Sequence, residues 1–180
     1  GKLAIVTLKE ASKKRDFWFL TGSFFVCGLS TSGLIGTHFI PAAHDHGMAE
    51  PVAASLLALI GVFDVIGTLA SGWLTDRFDP RKLLFAYYGL RGLSLFLLPS
   101  ILFSTMHPST LVFVIFYGLD WVATVPPTIM LCRQVLGPTR ATVVYGWVFA
   151  AHQIGGSVAA FGAAVMRVQF GDYALAFYIS

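Results

Sequence analysis

Long apolar stretches alternate with short polar ones along this chain. Five run over residues 17–40, 52–75, 83–103, 110–132 and 141–166, and a sixth opens near Tyr173 and stops at Ser180. Each of the five is close to the roughly 20 residues an α-helix needs to cross a bilayer. The residues between them are polar or rich in Pro and Gly, which marks turns. The runs are too long for the strands of a membrane barrel and lack their in–out alternation. The pattern predicts an all-α, polytopic membrane helix bundle with five complete helices plus the start of a sixth. Residues 1–16 form a separate polar and basic arm, and residues 17–180 form the transmembrane helical domain, truncated in its last helix. The chain opens on Gly1 without an initiator Met or a signal-peptide pattern, so it is expected to be a piece of a longer protein.

Composition narrows the class. Of the 180 residues, 56% are hydrophobic and 12% charged, with a mean hydropathy of +0.75. Soluble domains sit near 45–50% and 25%, so a soluble globular protein is excluded. A 14% aromatic content excludes disorder. The formal charge of +3 is no sign of nucleic-acid binding, because basic residues in a membrane protein mostly set orientation. Lys2, Lys9, Lys13, Lys14 and Arg15 lie in the arm, Arg77, Arg81 and Lys82 follow the second helix, and Arg133 and Arg140 follow the fourth. Only Arg91 and Arg167 fall elsewhere. This bias assigns the arm to the cytoplasmic side and the loop with His44, Asp45, His46 and Glu50 to the outside. Cys27 and Cys132, far apart in apolar segments, read as packing residues rather than a disulfide.

Ionisable groups at bilayer depth cost about 2.5 kcal/mol or more and are functional candidates by default. Four qualify. Asp64 lies about 18 Å from the basic-side end of its helix and Arg91 about 13 Å in from the same side. A short loop joins their helices, so the two are placed to meet, either as a structural ion pair or as a solute- or proton-binding site; the remaining alternative is that Arg91 snorkels to the interface on the basic side. Asp120 is also about 18 Å deep, counted from Pro108. Pro126 and Pro127 follow it, remove two backbone donors and must kink or open the helix, either as at midplane transporter sites or merely to shape packing. His152 is either a proton carrier or an interhelical hydrogen-bond partner, and Gln153 beside it is a further polar contact.

Other signals are structural. Gly155, Ala159 and Ala163, and beside them Gly156, Ala160 and Ala164, make ridges of small residues that allow close helix approach. The His44, Asp45, His46 cluster has no spaced partner ligands and reads as a solvated loop rather than a metal site. His38, Trp18, Trp73, Tyr173 and Tyr178 fit the interfacial belts.

One loop is sharply patterned: Gly72, then Asp76, Arg77, Asp79, Arg81 and Lys82. It closely resembles the signature loop between the second and third helices of each half of major facilitator superfamily transporters, with Asp79 where that family usually has Gly. In that pattern Gly72 lets neighbouring helices touch, Asp76 ends a helix, and Arg77, Arg81 and Lys82 clasp carboxylates and helix ends on the cytoplasmic side. The order of segments resembles the C-terminal half of such a transporter, the arm being the end of the central linker. The stretches 118–127 and 147–157 are similar to bacterial monocarboxylate-transporter-like members. Mammalian-type monocarboxylate carriers place Arg one turn after the Asp of their eighth helix; here Asp64 is followed by Thr68.

The resemblance implies a secondary active transporter of a bacterial inner (plasma) membrane. It would move a small solute, an organic anion such as a monocarboxylate, by alternating access. Asp64, Arg91, Asp120, His152 and Gln153 would be the substrate- or proton-binding candidates, and the loop at Gly72–Lys82 the cytoplasmic gate. No cofactor is expected beyond a coupled proton or a counter-transported solute. The expected partners are the solute, the lipid bilayer and the N-terminal six-helix half; no nucleic acid is expected. The rival readings are a non-transporting sensor on the same fold and an intramembrane serine protease using Ser157 and His152. The protease is disfavoured because five positions along one helix put those two residues on different faces.

Overall fold

The computed structural model describes residues 2–102 and 107–179. The predicted end of the third apolar run at residue 103 and the last residue, Ser180, lie outside them. All regular secondary structure among the described residues is helical. The arm is α1 (Lys2–Ala11). The first span is built of α2 (Arg15–Gly28), a π-helical segment (Leu29–Ile35) and α3 (Gly36–Asp45). Then come α4 (Glu50–Thr75), α5 (Pro80–Ile101), a fourth span split into α6 (Pro108–Asp120) and α7 (Val125–Leu136), α8 (Ala141–Phe170) and a short α9 (Ala174–Ile179). Five spans are long and apolar enough to cross a membrane.

The first and fifth spans run to 31 and 30 residues, longer than their apolar runs. Pro41 sits inside α3 rather than ending it, and α8 passes Met166 until Gly171, at φ +87°, turns the chain out. The π-helical turn lies where Ser30, Thr31, Ser32 and Gly33 interrupt the apolar run. Hydroxyls there take carbonyls of the preceding turn: Thr31 Oγ1 donates to the Cys27 carbonyl at 2.6 Å and Ser30 Oγ to it at 3.1 Å. The Gly36 N–H reaches back five residues to the Thr31 carbonyl, which is the wider π spacing.

Side contacts show which loops share an end. At one end of the bundle Glu10 pairs with Arg140, and Asp16 lies 3.7 Å from Arg81. At the other end Arg167 holds Asp45 with two bonds of 2.8 and 2.7 Å. Beside it His38 lies 3.2 Å from the Tyr173 hydroxyl and 2.8 Å from the Ala160 carbonyl. His38 and Tyr173 are thus buried partners, not the interfacial residues their positions suggested, because the turn after α8 brings Tyr173 onto the His38 ring. Trp18, Trp73 and Tyr178 are exposed.

Spans pack in two close pairs. In the first, Gly28 lies on the His152 carbonyl of α8, Gly155 on the Phe25 carbonyl, and a Cβ on Gly33 would come within 2.5 Å of the Gly156 carbonyl. The small-residue ridge of α8 therefore seats the first span. In the second, Gly67 lies on the Leu119 carbonyl, and a Cβ on Gly118 would stand 2.8 Å from the Ile60 carbonyl. Two apolar clusters fill the bundle, one around Phe39, Leu56, Leu98, Phe113 and Tyr117, the other around Phe17, Phe24, Leu84, Val144 and Val148. Arg91, Asp120 and His152 fall in the register between them.

Candidate functional site at the broken fourth span

The fourth helix breaks over residues 121–124. Pro126 and Pro127 have no N–H to return to the turn before them, so carbonyls there lose their helical partners. The remaining bonds tighten to three-residue spacing, Trp121 N–H to the Gly118 carbonyl at 3.1 Å and Val125 N–H to the Val122 carbonyl at 2.9 Å. At bilayer depth every exposed backbone group must find a partner in the protein. Here neighbouring side chains supply them.

Arg91 enters from α5. Its Nη2 donates to the Asp120 carbonyl at 2.5 Å and to the Trp121 carbonyl at 3.1 Å, its Nε to Asp120 Oδ2 at 2.7 Å, and its Nη1 to Cys27 Sγ at 2.9 Å. Ser71 of α4 donates to the Ala123 carbonyl at 2.5 Å, the oxygen that Pro127 would otherwise leave bare. From one helical face earlier on α4, Asp64 Oδ1 accepts the Val122 N–H at 2.9 Å and the Thr68 hydroxyl at 3.3 Å. The break is thus held by three side chains from two helices.

This corrects the expected pairing. Asp64 does not meet Arg91. The guanidinium pairs instead with Asp120, because the arginine, 2% exposed, points into the bundle toward the fourth span, while Asp64 faces Val122 inside the break. Asp120 is 7% exposed and its Oδ1 has no hydrogen-bond partner among the described residues. An ionic pair taken out of water needs such close geometry to offset desolvation.

Asp64, half-buried, opens on a crevice of about 200 Å³ lined by Gly36, Leu57, Ile60, Gly61 and Trp121. Its walls belong to the first, second and fourth spans. A carboxylate and an indole face each other there, next to the π-helical turn of one span and the break of another. At membrane depth the described residues offer this crevice no unpaired cation, since the charge of Arg91 is matched by Asp120.

His152 stands apart from the break. Its Nε2 lies 3.2 Å from Ser32 Oγ, its ring stacks on Phe149 at 5.4 Å and packs on Phe24, and its Nδ1 is buried without a partner among the described residues. Gln153 is exposed beside it, its carbonyl accepting from Ser157 Oγ at 3.0 Å. Ser157 is bound one turn back on its own helix, so no serine–histidine pair forms between it and His152. Cys27 and Cys132 are buried free thiols. Cys27 does more than pack, taking the Arg91 donor and lying 3.6 Å from the Thr124 hydroxyl.

The patterned loop behaves as two helix caps. Asp76 is the C-cap of α4, and Asp79 is the N-cap of α5, its Oδ1 accepting the Arg81 N–H at 2.8 Å ahead of Pro80. That N-cap role gives a physical reason for Asp at this position. Arg77 donates to the Trp73 carbonyl at 3.2 Å and lies over the Trp73 ring at 4.0 Å. A Cβ on Gly72 would meet nothing within 4 Å, so the close helix contact expected at Gly72 is not made within this chain. Lys82 is exposed.

Sequence reasoning missed Ser71, Cys27, Gly67 and Gly118. Ser71 carried a usable signal, lying seven positions after Asp64 and so on the same helical face. No group of three or more His, Cys, Asp or Glu residues that could hold a metal occurs among the described residues.

A family model described as Major Facilitator Superfamily matches residues 1–160. Among curated relatives, Monocarboxylate transporter 12 of Xenopus laevis is 28% identical over 186 residues, covering 99% of this chain and 39% of that protein. Monocarboxylate transporter 13 of Rattus norvegicus is 30% identical over 156 residues, covering 82% and 36%. The uncharacterized MFS-type transporter YcxA of Bacillus subtilis (strain 168) is 25% identical over 168 residues, covering 86% and 40%. The chain spans between 27% and 40% of the length of the curated relatives it matches.

Proposed function

The chain belongs to the major facilitator superfamily, a family of transporters rather than enzymes, and on that premise we propose that it forms the C-terminal six-helix part of a secondary active transporter. The solute is a small monocarboxylate, carried by alternating access against an N-terminal six-helix half. The arm lies on the cytoplasmic side of a plasma membrane, as the basic loops favour. The observation that carries this reading is the fourth span broken at membrane depth and held by Asp64, Ser71 and Arg91 beside a crevice. Irregular backbone is tolerated at that depth only where protein or a water-filled cavity receives it.

In this reading the parts divide their work. Arg91 and Asp120 hold the break in shape and leave no net charge. Asp64 is the charged group that faces the crevice, and it exchanges the proton that accompanies the carboxylate. His152, with its Nδ1 unbonded among the described residues, is the second proton candidate, and Gln153 is the neighbouring solute contact. The countercharge for the solute's carboxylate comes from outside this chain. The caps at Asp76 and Asp79, with Arg77, Arg81 and Lys82, close the cytoplasmic side.

The test is uptake by the full-length protein in proteoliposomes, with radiolabelled lactate and pyruvate offered under an inward proton gradient. Saturable uptake above empty vesicles is expected, with loss of the gradient's acceleration in Asp64→Asn while exchange at equal pH persists. A folded, inserted protein that takes up neither compound overturns the substrate class. Uptake that the gradient drives equally well in Asp64→Asn removes Asp64 as the proton site.

A further inference from the structure

The arm helix α1 presents two faces of unlike chemistry. Thr7 and Ala11 are buried against the neighbouring spans. The helix is fastened there by the Trp147 indole N–H, which donates to the Ala4 carbonyl at 3.0 Å, and by Arg140, which pairs with Glu10. The opposite face exposes Ile5 and Val6 at 56% and 46%, together with Lys2 and Lys9. Lys13 and Lys14, also exposed, follow at the turn into α2.

The charges on this face are not neutralised from within. Glu10 is turned inward to Arg140, and Asp16 faces Arg81. None of the ion pairs among the described residues includes Lys2, Lys9, Lys13 or Lys14. The helix also sits at the level where the spans begin, beside the start of α8 and next to Trp18. That indole, 58% exposed, donates to the Ser12 carbonyl at 2.8 Å. Tryptophans at span ends sit at headgroup depth. Two aliphatic side chains beside Lys2 and Lys9, with Lys13 and Lys14 following at the turn, have at that depth the chemistry of a helix lying in a lipid interface, its apolar groups in the acyl boundary and its ammonium groups among phosphates.

We propose that the outward face of α1 is a docking surface for acidic phospholipid headgroups of the adjoining leaflet, and that the arm lies on the membrane rather than in water. Each lysine near an anionic surface adds favourable energy that falls off within a Debye length, so the attachment is salt-sensitive. The Trp147 and Arg140 contacts keep the helix pointed toward the lipid. The proposal does not depend on the transport reading, and its test measures no transport.

The full-length protein carrying Val6→Cys, labelled with an environment-sensitive fluorophore, is placed in nanodiscs of phosphatidylcholine alone or with phosphatidylglycerol added. The buried native cysteines serve as the unlabelled control, checked on protein without the substitution. With phosphatidylglycerol the emission shifts to the blue and iodide quenching falls, high salt reverses both, and replacing Lys2, Lys9, Lys13 and Lys14 by Gln removes the difference. Equal protection in both compositions, indifferent to salt, means that protein covers the arm and overturns the proposal. Equal and full quenching in both means that the arm is in water and overturns it as well. If the quadruple variant fails to fold, the comparison of lipids with the unaltered arm still decides.

Discussion

Arg91 donates to Asp120 twice, through Nε to the side chain at 2.7 Å and through Nη2 to the backbone carbonyl at 2.5 Å. One guanidinium therefore neutralises the carboxylate and caps the helix end on which that carboxylate stands. The two tasks separate by mutation.

Arg91→Ala leaves Asp120 buried without a countercharge. Removal of one partner from a buried pair costs about 3–5 kcal/mol, so the purified full-length protein is predicted to melt earlier and to reach the membrane in lower amounts. Arg91→Met with Asp120→Asn removes both charges and is expected to recover part of that loss. A double variant as unstable as Arg91→Ala alone would mean that capping of the Asp120 and Trp121 carbonyls, not neutralisation, is the dominant task.

Ser71 and Pro127 form a second testable pair. Ser71→Ala strips the Ala123 carbonyl of its donor, at a cost of roughly 1–3 kcal/mol for a buried unsatisfied group. Pro127→Ala returns an N–H at the position where a regular helix would satisfy that carbonyl. The double variant is therefore expected to be more stable than the sum of the single changes predicts, a coupling read from a thermal-melt cycle. Additive losses would show that the Ala123 carbonyl finds another partner when Ser71 is gone.

The glycines divide by what surrounds them. Gly67→Ala drives a methyl into the Leu119 carbonyl, and overpacking of this kind costs about 1–3 kcal/mol. Gly89→Ala, in α5 with nothing within 4 Å, is expected to stabilise by about 0.5–1 kcal/mol through the unfolded chain and helix propensity. Melting temperatures of the two variants should move in opposite directions; a shift of the same sign in both would contradict the close packing of α4 on α6.

Asp64→Asn keeps an oxygen for the Val122 N–H and removes the charge. Its melting temperature is expected to stay near that of the unaltered protein, whereas Asp64→Leu, which removes the acceptor, lowers it by the cost of one buried donor. Equal stability of the two variants would show that the Val122 N–H does not need Asp64.

The bundle was legible in the sequence because five apolar runs, one charge bias and one patterned loop are local signals. So was the opening of the fourth span, since Pro126 and Pro127 act on their own helix. The partners of that opening were not legible. Asp64 and Arg91 lie on consecutive helices, and nearness in sequence suggested that they meet, yet the rotation of α5 about its axis turns Arg91 toward Asp120, which is 29 positions away. Helix rotation is set by side-chain packing along the whole length, which no single motif reports. The π-helical turn was hidden for a related reason: its Ser, Thr and Gly residues suit several backbone forms, and hydroxyl-to-carbonyl bonds select among them.

The backbone contacts at Gly28, Gly33 and Gly155, and those at Gly67 and Gly118, have a mechanical consequence. Main chain resting on main chain leaves no side-chain layer to yield, so α2 with α8 and α4 with α6 behave as two stiff plates. The plates share the apolar cluster of Phe39, Leu56 and Phe113, and at the depth of the break a line of polar contacts also crosses between them: Tyr117 to the Ser30 carbonyl at 3.0 Å, Cys27 to Thr124 at 3.6 Å, and Arg91 spanning from Cys27 to Asp120. Hydrogen bonds along such a line exchange partners with smaller displacements than interlocked side chains allow, so the contact between the plates is more adjustable there, where both spans already depart from a regular helix, than at the stacked rings of Phe39 and Phe113.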